Sequence, residues 1–171
     1  MNVPKLRFPG FQGEWVEKRL GNEVFVNSKK YNPAFEQINF KCIELEHIES
    51  ETGRLLGYTD SLSAGSIKNV FKTGDVLFGK LRPYLRKYHQ ATFNGVCSSE
   101  IWVLKSSTMS NDVLFQLVQT EKFINITNIS SGSKMPRADW ELVADTIFSL
   151  PSLPEQEKIA EFLSSVDNVI Q

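Results

Sequence analysis

The final twenty residues constrain the fold most, because they predict a long amphipathic helix. At residues 152–155, Ser-Leu-Pro-Glu, Ser152 and Glu155 have the spacing of a capping box, and the proline falls in the first turn, where its missing N–H removes no bond. A helix from 153 to 171 is about 28 Å long at 1.5 Å per residue, too short to be stable alone in water. Its apolar residues recur in one stripe at heptad spacing, namely Ile159, Phe162, Leu163, Val166, Val169 and Ile170. We therefore expect this stripe to pack against a partner.

The rest of the chain predicts one globular unit built from short strands and helices. Its 171 residues, 41% of them hydrophobic and 23% charged, fit a single core better than two. Residues 40–48 alternate apolar and acidic side chains, which is the two-residue period of a half-buried strand. The runs 69–71 and 75–78 are typical of two strands paired around a turn. The β-branched and aromatic residues of 96–104 favour a further strand.

A helix is predicted after these strands. Apolar side chains recur at helical spacing over residues 113–118, and Ser110 or Asn111 is available to cap the start. Residues 125–135 are rich in Ser, Thr, Asn and Gly, which favours an exposed loop. Residues 4–20 mix turn formers with aromatic side chains and indicate an irregular arm that is pinned by these aromatics and leads into a first short element.

Charge is segregated along the chain, although the formal net charge is only −1. Lys and Arg exceed Asp and Glu by six over residues 61–138, whereas the acids exceed the bases by six over residues 139–171. No acid lies between Asp75 and Glu100, a stretch that holds four Lys and Arg residues. A neutral protein can thereby present a local positive field to an anionic partner. Two solvated faces of opposite charge explain the same pattern, so the charge distribution alone does not show that the protein binds an anionic partner.

Two segments have the chemistry of nucleic-acid contacts. In the run 74–88, Lys and Arg can neutralise phosphates, Arg can place two hydrogen bonds on a guanine edge, and Tyr can pack on sugars or bases. The loop 130–137 combines a glycine with hydroxyls and two cations that suit a phosphate backbone. A solvated strand end and an ordinary Ser/Gly loop are the alternatives. The candidate contacts are Lys80, Arg82, Tyr84, Arg86, Lys87, Ser131, Gly132, Ser133, Lys134 and Arg137.

The sequence offers no constellation for catalysis or metal binding. Cys42 and Cys97 lack CxxC spacing and fit reduced core thiols of a cytoplasmic protein rather than a zinc site. His47 and His89 are isolated, and such histidines are more often packing or surface residues than catalysts. No glycine-rich strand-to-helix turn suits a methyl donor, and no apolar run has the length of a membrane span. We therefore expect a cytoplasmic binding module without catalytic residues, metal or cofactor.

Three separated segments resemble the specificity subunit of Type I restriction–modification enzymes. They are PKLRFPGFQGEWVEKRLGN (4–22), GDVLFGKLRPYLRKY (74–88) and LPEQEKIAEFLSSVDNVI (153–170), and the last is the most specific. The segments IELEHIESETGRLLG (43–57) and SSGSKMPRADW (130–140) are similar as well. The resemblance spans the whole chain, with the segments in the order that the family shows.

The resemblance implies an α+β fold with two parts. A mixed or antiparallel, β-rich target-recognition domain with short helices would occupy residues 1–151, and a coiled-coil-type spacer and dimerisation helix would begin at 152 and be truncated at 171. The candidate contacts above then become contacts to double-stranded DNA. The helix-packing residues become Ile159, Phe162, Leu163, Val166 and Ile170.

The resemblance also implies the partners. In the family, the specificity subunit recognises a bipartite DNA site and catalyses nothing. The modification subunit binds the methyl donor and methylates adenine, while the restriction subunit uses ATP to translocate and cleave. We therefore expect both of these subunits as partners, their cofactors on them rather than on this chain, and no membrane.

This sequence departs from the family pattern in carrying a single domain and a short helix. We interpret it either as a truncated form or as a natural half-subunit. A half-subunit that associates with itself through its helix would present two identical domains and recognise a symmetric split site. A helix-mediated protein-interaction scaffold that does not recognise DNA is the alternative function.

Overall fold

A computed structural model describes residues 3–129 and 134–170, the last of these by its backbone alone. This part of the chain contains the strands β1 (Val16–Arg19), β2 (Val24–Val26), β3 (Lys30–Tyr31), β4 (Lys41–Ile43), β5 (Thr59–Asp60), β6 (Lys68–Phe71), β7 (Val76–Gly79), β8 (Tyr88–Gln90), β9 (Gly95–Ser98), β10 (Ile101–Ser106) and β11 (Ile147–Leu150). Its helices are α1 (Leu20–Glu23), α2 (Asn111–Val118), α3 (Glu121–Thr127), α4 (Trp140–Ala144) and α5 (Leu153–Ile170). Short 3-10 turns cover Leu45–His47, Ser61–Ser63 and Pro83–Leu85.

The strands form three sheets, and the predicted α+β class is confirmed. One sheet has the order β2-β10-β7-β8, the second β3-β6-β9-β4-β5, and β1 pairs with β11 in the third. The ladders are antiparallel except for β4 and β9, which run parallel. The five-stranded sheet is therefore mixed and the other two are antiparallel.

The strands β7 and β10 are buried on both faces, which explains their continuous apolar runs. Val76 and Phe78 of β7 belong to a core shared with the helices, where Phe78 meets Phe123 of α3 edge to face at 5.1 Å between ring centroids. Leu77 points the other way, into a second core with Phe71 of the five-stranded sheet. The four-stranded sheet is thus the central layer, with helices on one side and the second sheet on the other.

The interpretation of residues 40–48 as one strand is correct only as far as Ile43. The backbone N–H of Glu44 donates to Nδ1 of His47 at 3.0 Å, and the His47 N–H donates to the Glu44 carbonyl at 3.0 Å. These reciprocal bonds wind Leu45–His47 into a 3-10 turn. Local side-chain bonding therefore overrides the alternating pattern.

The runs 69–71 and 75–78 are both strands, but the predicted pairing between them is wrong. The first lies in β6, between β3 and β9, and the second lies largely in β7, between β8 and β10. The turn between them carries the chain from one sheet to the other, and Gly74, at φ +89°, donates its N–H to the carbonyl of Ala91 at 2.7 Å. The run 96–104 divides in the same way, into β9 and β10.

The predicted helix at residues 113–118 is confirmed as α2, and its cap is Ser110, whose hydroxyl accepts from the Val113 N–H. The predicted loop at 125–135 begins too early, because α3 continues to Thr127. Thr127 is fully buried, and its hydroxyl donates to the carbonyl of Ile124 at 2.8 Å. A polar side chain that satisfies itself on its own helix can lie in the core.

The predicted C-terminal helix is confirmed as α5, although its predicted capping box does not form as expected. The Glu155 side chain is only 1% exposed, and both its oxygens accept hydrogen bonds from Arg7 of the N-terminal arm, each at 2.7 Å. Two parallel hydrogen bonds between a carboxylate and a guanidinium add both energy and geometric specificity. The arm therefore takes the carboxylate that local spacing assigned to a cap.

Gly95 of β9 offers a test of how tightly the five-stranded sheet is packed, because its near neighbours are on β4 and β6 of that sheet. An added Cβ at this position would lie 2.5 Å from the carbonyl oxygen of Lys41 and 2.9 Å from Cζ of Phe71. We expect Gly95→Ala to lower the free energy of unfolding by about 1–3 kcal/mol, as overpacking does, measured by urea denaturation. Gly57→Ala is the matched control, because an added Cβ there meets nothing within 4 Å. Equal denaturation midpoints for the two variants would contradict the packing described.

Candidate nucleic-acid interface

The two segments singled out in the sequence lie side by side. Leu81 and Arg137 form an antiparallel bridge, the Arg82 N–H donates to the Pro136 carbonyl at 2.8 Å, and the Ala138 N–H donates to the Lys80 carbonyl at 2.8 Å. Backbone bonds thus hold the basic turn after β7 against the chain that precedes α4. We call the side chains of Lys80, Arg82, Tyr84, Lys134 and Arg137 the bridged cationic surface.

The backbone of the basic turn is held in an unusual conformation. Arg82 and Arg86 both have left-handed φ values, 51° and 49°, and they flank the 3-10 turn Pro83–Leu85. Pro83 is buried, whereas Tyr84 is 54% exposed. Left-handed residues other than glycine carry strain and cluster at functional sites. The turn anchors itself through its proline and projects Arg82 and Tyr84 outward.

Two of the predicted contacts are engaged within the protein. The Arg86 guanidinium forms two parallel hydrogen bonds with Glu121 at 2.6 and 2.9 Å, and this bonding raises the pKa of Arg86 and lowers the pKa of Glu121. The Lys87 ammonium donates to the carbonyls of Leu45 and Ile48, at 2.7 Å each. These bonds tie the end of the basic turn to α3 and to the chain after β4.

Three cations of the bridged cationic surface have no such engagement. Lys80 is half-buried, and Arg82 and Lys134 are exposed. Within the described residues, none of the three side chains makes an ion pair or a hydrogen bond. Their charges are therefore available to an anionic ligand. The remaining predicted contacts Ser131, Gly132 and Ser133 lie outside the described residues.

Arg137 is also exposed, but its guanidinium pairs with Glu100. Nε of Arg137 donates to the two carboxylate oxygens at 3.2 and 3.0 Å, and Nη2 donates to one of them at 3.0 Å. This bonding raises the pKa of the guanidinium. Sequence reasoning missed Glu100, because its distance from Arg137 along the chain gives no signal of their contact.

The apolar stripe of α5 is divided between the domain and the outside. Ile159 is half-buried and, with Leu163, lines an apolar cleft next to Leu117 of α2. Phe162 is 51% exposed and Val166 is 37% exposed. At 100° per residue, the stripe is rotated by roughly a quarter of a turn from the side that packs on the domain. The side chain of Ile170 lies outside the described residues.

The N-terminal arm is joined to α5 by an ion pair and an aromatic contact. Besides its bonds to Glu155, Arg7 donates to the Gly13 carbonyl at 2.6 Å. Phe8 packs edge to face on Phe162, with 5.5 Å between the ring centroids. A largely buried ion pair and an aromatic contact together fasten the arm to α5. The sequence predicted that aromatics pin the arm, but it gave no sign that Phe8 packs on α5 or that Arg7 pairs with Glu155.

Both cysteines and His89 are buried in the interior of the protein. Cys42 and Cys97 are buried free thiols on β4 and β9, and burial raises the pKa of Cys42 to about 12. His89 is buried, which lowers its pKa, and its Nδ1 lies 2.9 Å from the Gly53 carbonyl. Within the described residues no three His, Cys, Asp or Glu side chains are grouped to hold a metal ion. No described helix is long and apolar enough to cross a membrane.

Comparison with known proteins identifies the family. The model of the family described as "Type I restriction modification DNA specificity domain" matches residues 14–171. The chain belongs to this family. The specificity subunit of the Type I restriction enzyme EcoDI from Escherichia coli is 31% identical to this specificity domain over 154 residues, which are 88% of the chain and 34% of that subunit. The MjaVIII specificity subunit of Methanocaldococcus jannaschii is 24% identical to this domain, and the aligned region is 92% of the chain and 40% of that subunit.

Solved structures share the fold of this specificity domain. The crystal structure of the HsdS subunit from Thermoanaerobacter tengcongensis matches with a TM-score of 0.75 at 23% identity, over 95% of this chain and 43% of that one. A chain from a study of complex assembly and conformational transition of the type I R-M system matches with a TM-score of 0.77 at 22% identity, over 97% and 44% of the two chains. The chain thus spans less than half the length of these relatives.

Proposed function

We propose that this specificity domain recognises one half of a split DNA sequence and catalyses nothing itself. The observation that carries the proposal is the backbone bridging of residues 80–82 to 136–138, which gathers cations from two distant segments onto one surface. In this proposal residues 1–151 form the target-recognition domain and residues 152–171 belong to the spacer helix. The chain acts in the cytoplasm and directs a modification subunit, which carries the methyl donor, and a restriction subunit, which uses ATP.

The chemistry of the bridged cationic surface fits a duplex. Lys80 and Lys134 suit phosphates, because their compact ammonium groups act as point charges. Arg82 projects from a strained turn and can place two parallel N–H groups on a guanine edge. Tyr84 can pack on a sugar or base. The loop 131–133 lies next in sequence to Lys134 and belongs to the same proposed contact.

Salt dependence tests this proposal directly. Each phosphate contact contributes a slope of about −0.9 in a plot of log affinity against log salt. With three to five such contacts, we expect the affinity for duplex DNA to fall roughly 40- to 500-fold between about 50 and 200 mM salt. The measurement is fluorescence anisotropy with the chain alone and with its modification subunit. An affinity that stays flat over this range would rule out phosphate contacts by this surface.

A second candidate function rests on the exposed part of the α5 stripe. Phe162, Val166 and Val169 leave apolar surface uncovered, at 51%, 37% and 86% exposure. Such a stripe at heptad spacing suits another helix. Self-association through it would set two identical domains on a two-fold axis and favour a symmetric split site. A pure interaction scaffold would use the same stripe and would not require the cations.

A further inference from the structure

We propose that Glu100 is a positioning residue that aims Arg137 at one G·C base pair, a role that rests on the DNA recognition proposed above. The carboxylate of Glu100 contacts the Nε and Nη2 side of the guanidinium at 3.0 to 3.2 Å. Arg137 lies on the bridged cationic surface and is 49% exposed at its side chain. The Glu100–Arg137 pair therefore lies on the surface that the proposed DNA would contact.

The geometry leaves the useful edge of Arg137 free. A guanidinium has five N–H donors in a planar fork. Glu100 takes Nε–H and one N–H of Nη2, so the second N–H of Nη2 and both of Nη1 remain. Nη1 makes no hydrogen bond within the described residues. One N–H from each of the two Nη atoms forms a second parallel pair, which is the arrangement that O6 and N7 of guanine accept in the major groove.

Backbone hydrogen bonds hold both Glu100 and Arg137 in place. Glu100 lies in the turn between β9 and β10, its N–H donates to the Ser98 hydroxyl at 3.3 Å, and its carbonyl accepts from the Lys80 N–H at 2.9 Å. Arg137 is held by its bridge to Leu81. A guanidinium already oriented in this way loses little conformational entropy when it binds a base, so the contact becomes more discriminating.

The negative charge of Glu100 distinguishes a positioning role from simple phosphate binding. Glu100 places a negative charge beside Arg137, on the bridged cationic surface, where it weakens attraction to the DNA backbone. Glu100 therefore opposes affinity for DNA in general while it favours one base through Arg137. Its removal should increase binding to unrelated duplexes and reduce discrimination at one position, and a residue that only stabilises the fold would produce no such opposite changes.

The test compares Glu100→Gln with Arg137→Ala in the full chain assembled with its modification subunit. The ligands are the preferred duplex, the same duplex with each G·C pair replaced in turn, and an unrelated duplex. We expect Glu100→Gln to lower discrimination at one G·C pair by about 5- to 50-fold. This loss lies within the discrimination that a bidentate contact between arginine and guanine provides. Arg137→Ala should lose discrimination at the same pair. Affinity of Glu100→Gln for the unrelated duplex should rise, because a negative charge beside Arg137 is removed.

Glu121→Gln is the control, because it removes the same charge from another Arg–Glu ion pair, in which Glu121 contacts the outer Nη1 and Nη2 edge of Arg86. It should leave discrimination unchanged at the pair that Glu100→Gln affects. Thermal unfolding of each variant establishes that it is folded. Full discrimination by Glu100→Gln at every position, or a loss at a different pair from Arg137→Ala, overturns the role of Glu100 alone. Absence of any sequence preference in the unaltered complex overturns the proposed DNA recognition as well.

Discussion

Replacing Lys80, Arg82 and Lys134 together with alanine is expected to weaken binding to the preferred duplex by at least about 100-fold. None of the three cations is held by another described side chain, so their full charge is offered to the ligand. Removing the two lysines should also make the plot of log affinity against log salt shallower, by about one unit for each phosphate that is no longer neutralised. Anisotropy titrations at several salt concentrations measure both effects.

The control for this triple variant changes the net charge by the same amount elsewhere. Lys72, Arg54 and Lys158 serve, because they lie outside the bridged cationic surface and two of them are already ion-paired, Arg54 with Glu49 and Lys158 with Glu161. Their replacement with alanine should lower affinity only slightly and leave sequence preference intact. If both triple variants lose affinity equally, the effect is one of overall charge and the bridged cationic surface has no special role.

The second large effect concerns α5, where Val166→Glu with Val169→Glu is expected to abolish helix-mediated assembly. Both side chains are exposed in the single chain, at 37% and 86%. The domain should therefore fold normally. Burying two carboxylates in an apolar helix contact without partners costs several kcal/mol, so association should weaken by more than about 100-fold. Light scattering after gel filtration, with and without the modification subunit, measures the assembly.

A matched variant places the same charges on a neighbouring side of the helix. Ser165→Glu with Asn168→Glu adds two carboxylates at exposed positions outside the stripe, Ser165 beside its edge and Asn168 farther round the helix. This variant should assemble like the unaltered chain, and circular dichroism should show equal helix content in both variants. Normal assembly by the Val166 and Val169 variant would mean that the exposed stripe is not the interface.

Much of the fold was predictable where local signals and burial agree. The α2 helix, with its cap at Ser110, and the α5 helix are confirmed. The strands β7 and β10 were visible as apolar runs, because strands buried on both faces need no polar residue. Which strands pair with one another was harder to predict from the sequence. A single turn at Gly74 moves the chain between sheets, and neither run of residues beside it carries information on its partner strand.

The candidate site was predictable in its segments but not in its contacts. The cations at 80–87 and 134–137 stood out in the sequence, yet only the folded backbone brings Leu81 beside Arg137. Glu100 and Glu121 escaped notice, because an ion pair between distant segments leaves no periodic pattern. The Arg7–Glu155 pair was hidden for the same reason, and its glutamate also matched a local capping signal.

The most direct test of DNA recognition is selection of bound duplexes from a random pool by the chain assembled with its modification subunit. We predict enrichment of one short, defined half-site. If two chains pair through α5, that half-site should occur twice, in opposite orientations across a fixed spacing. A complex that binds duplexes in a salt-dependent way but enriches no sequence would contradict the proposal that this domain chooses the target.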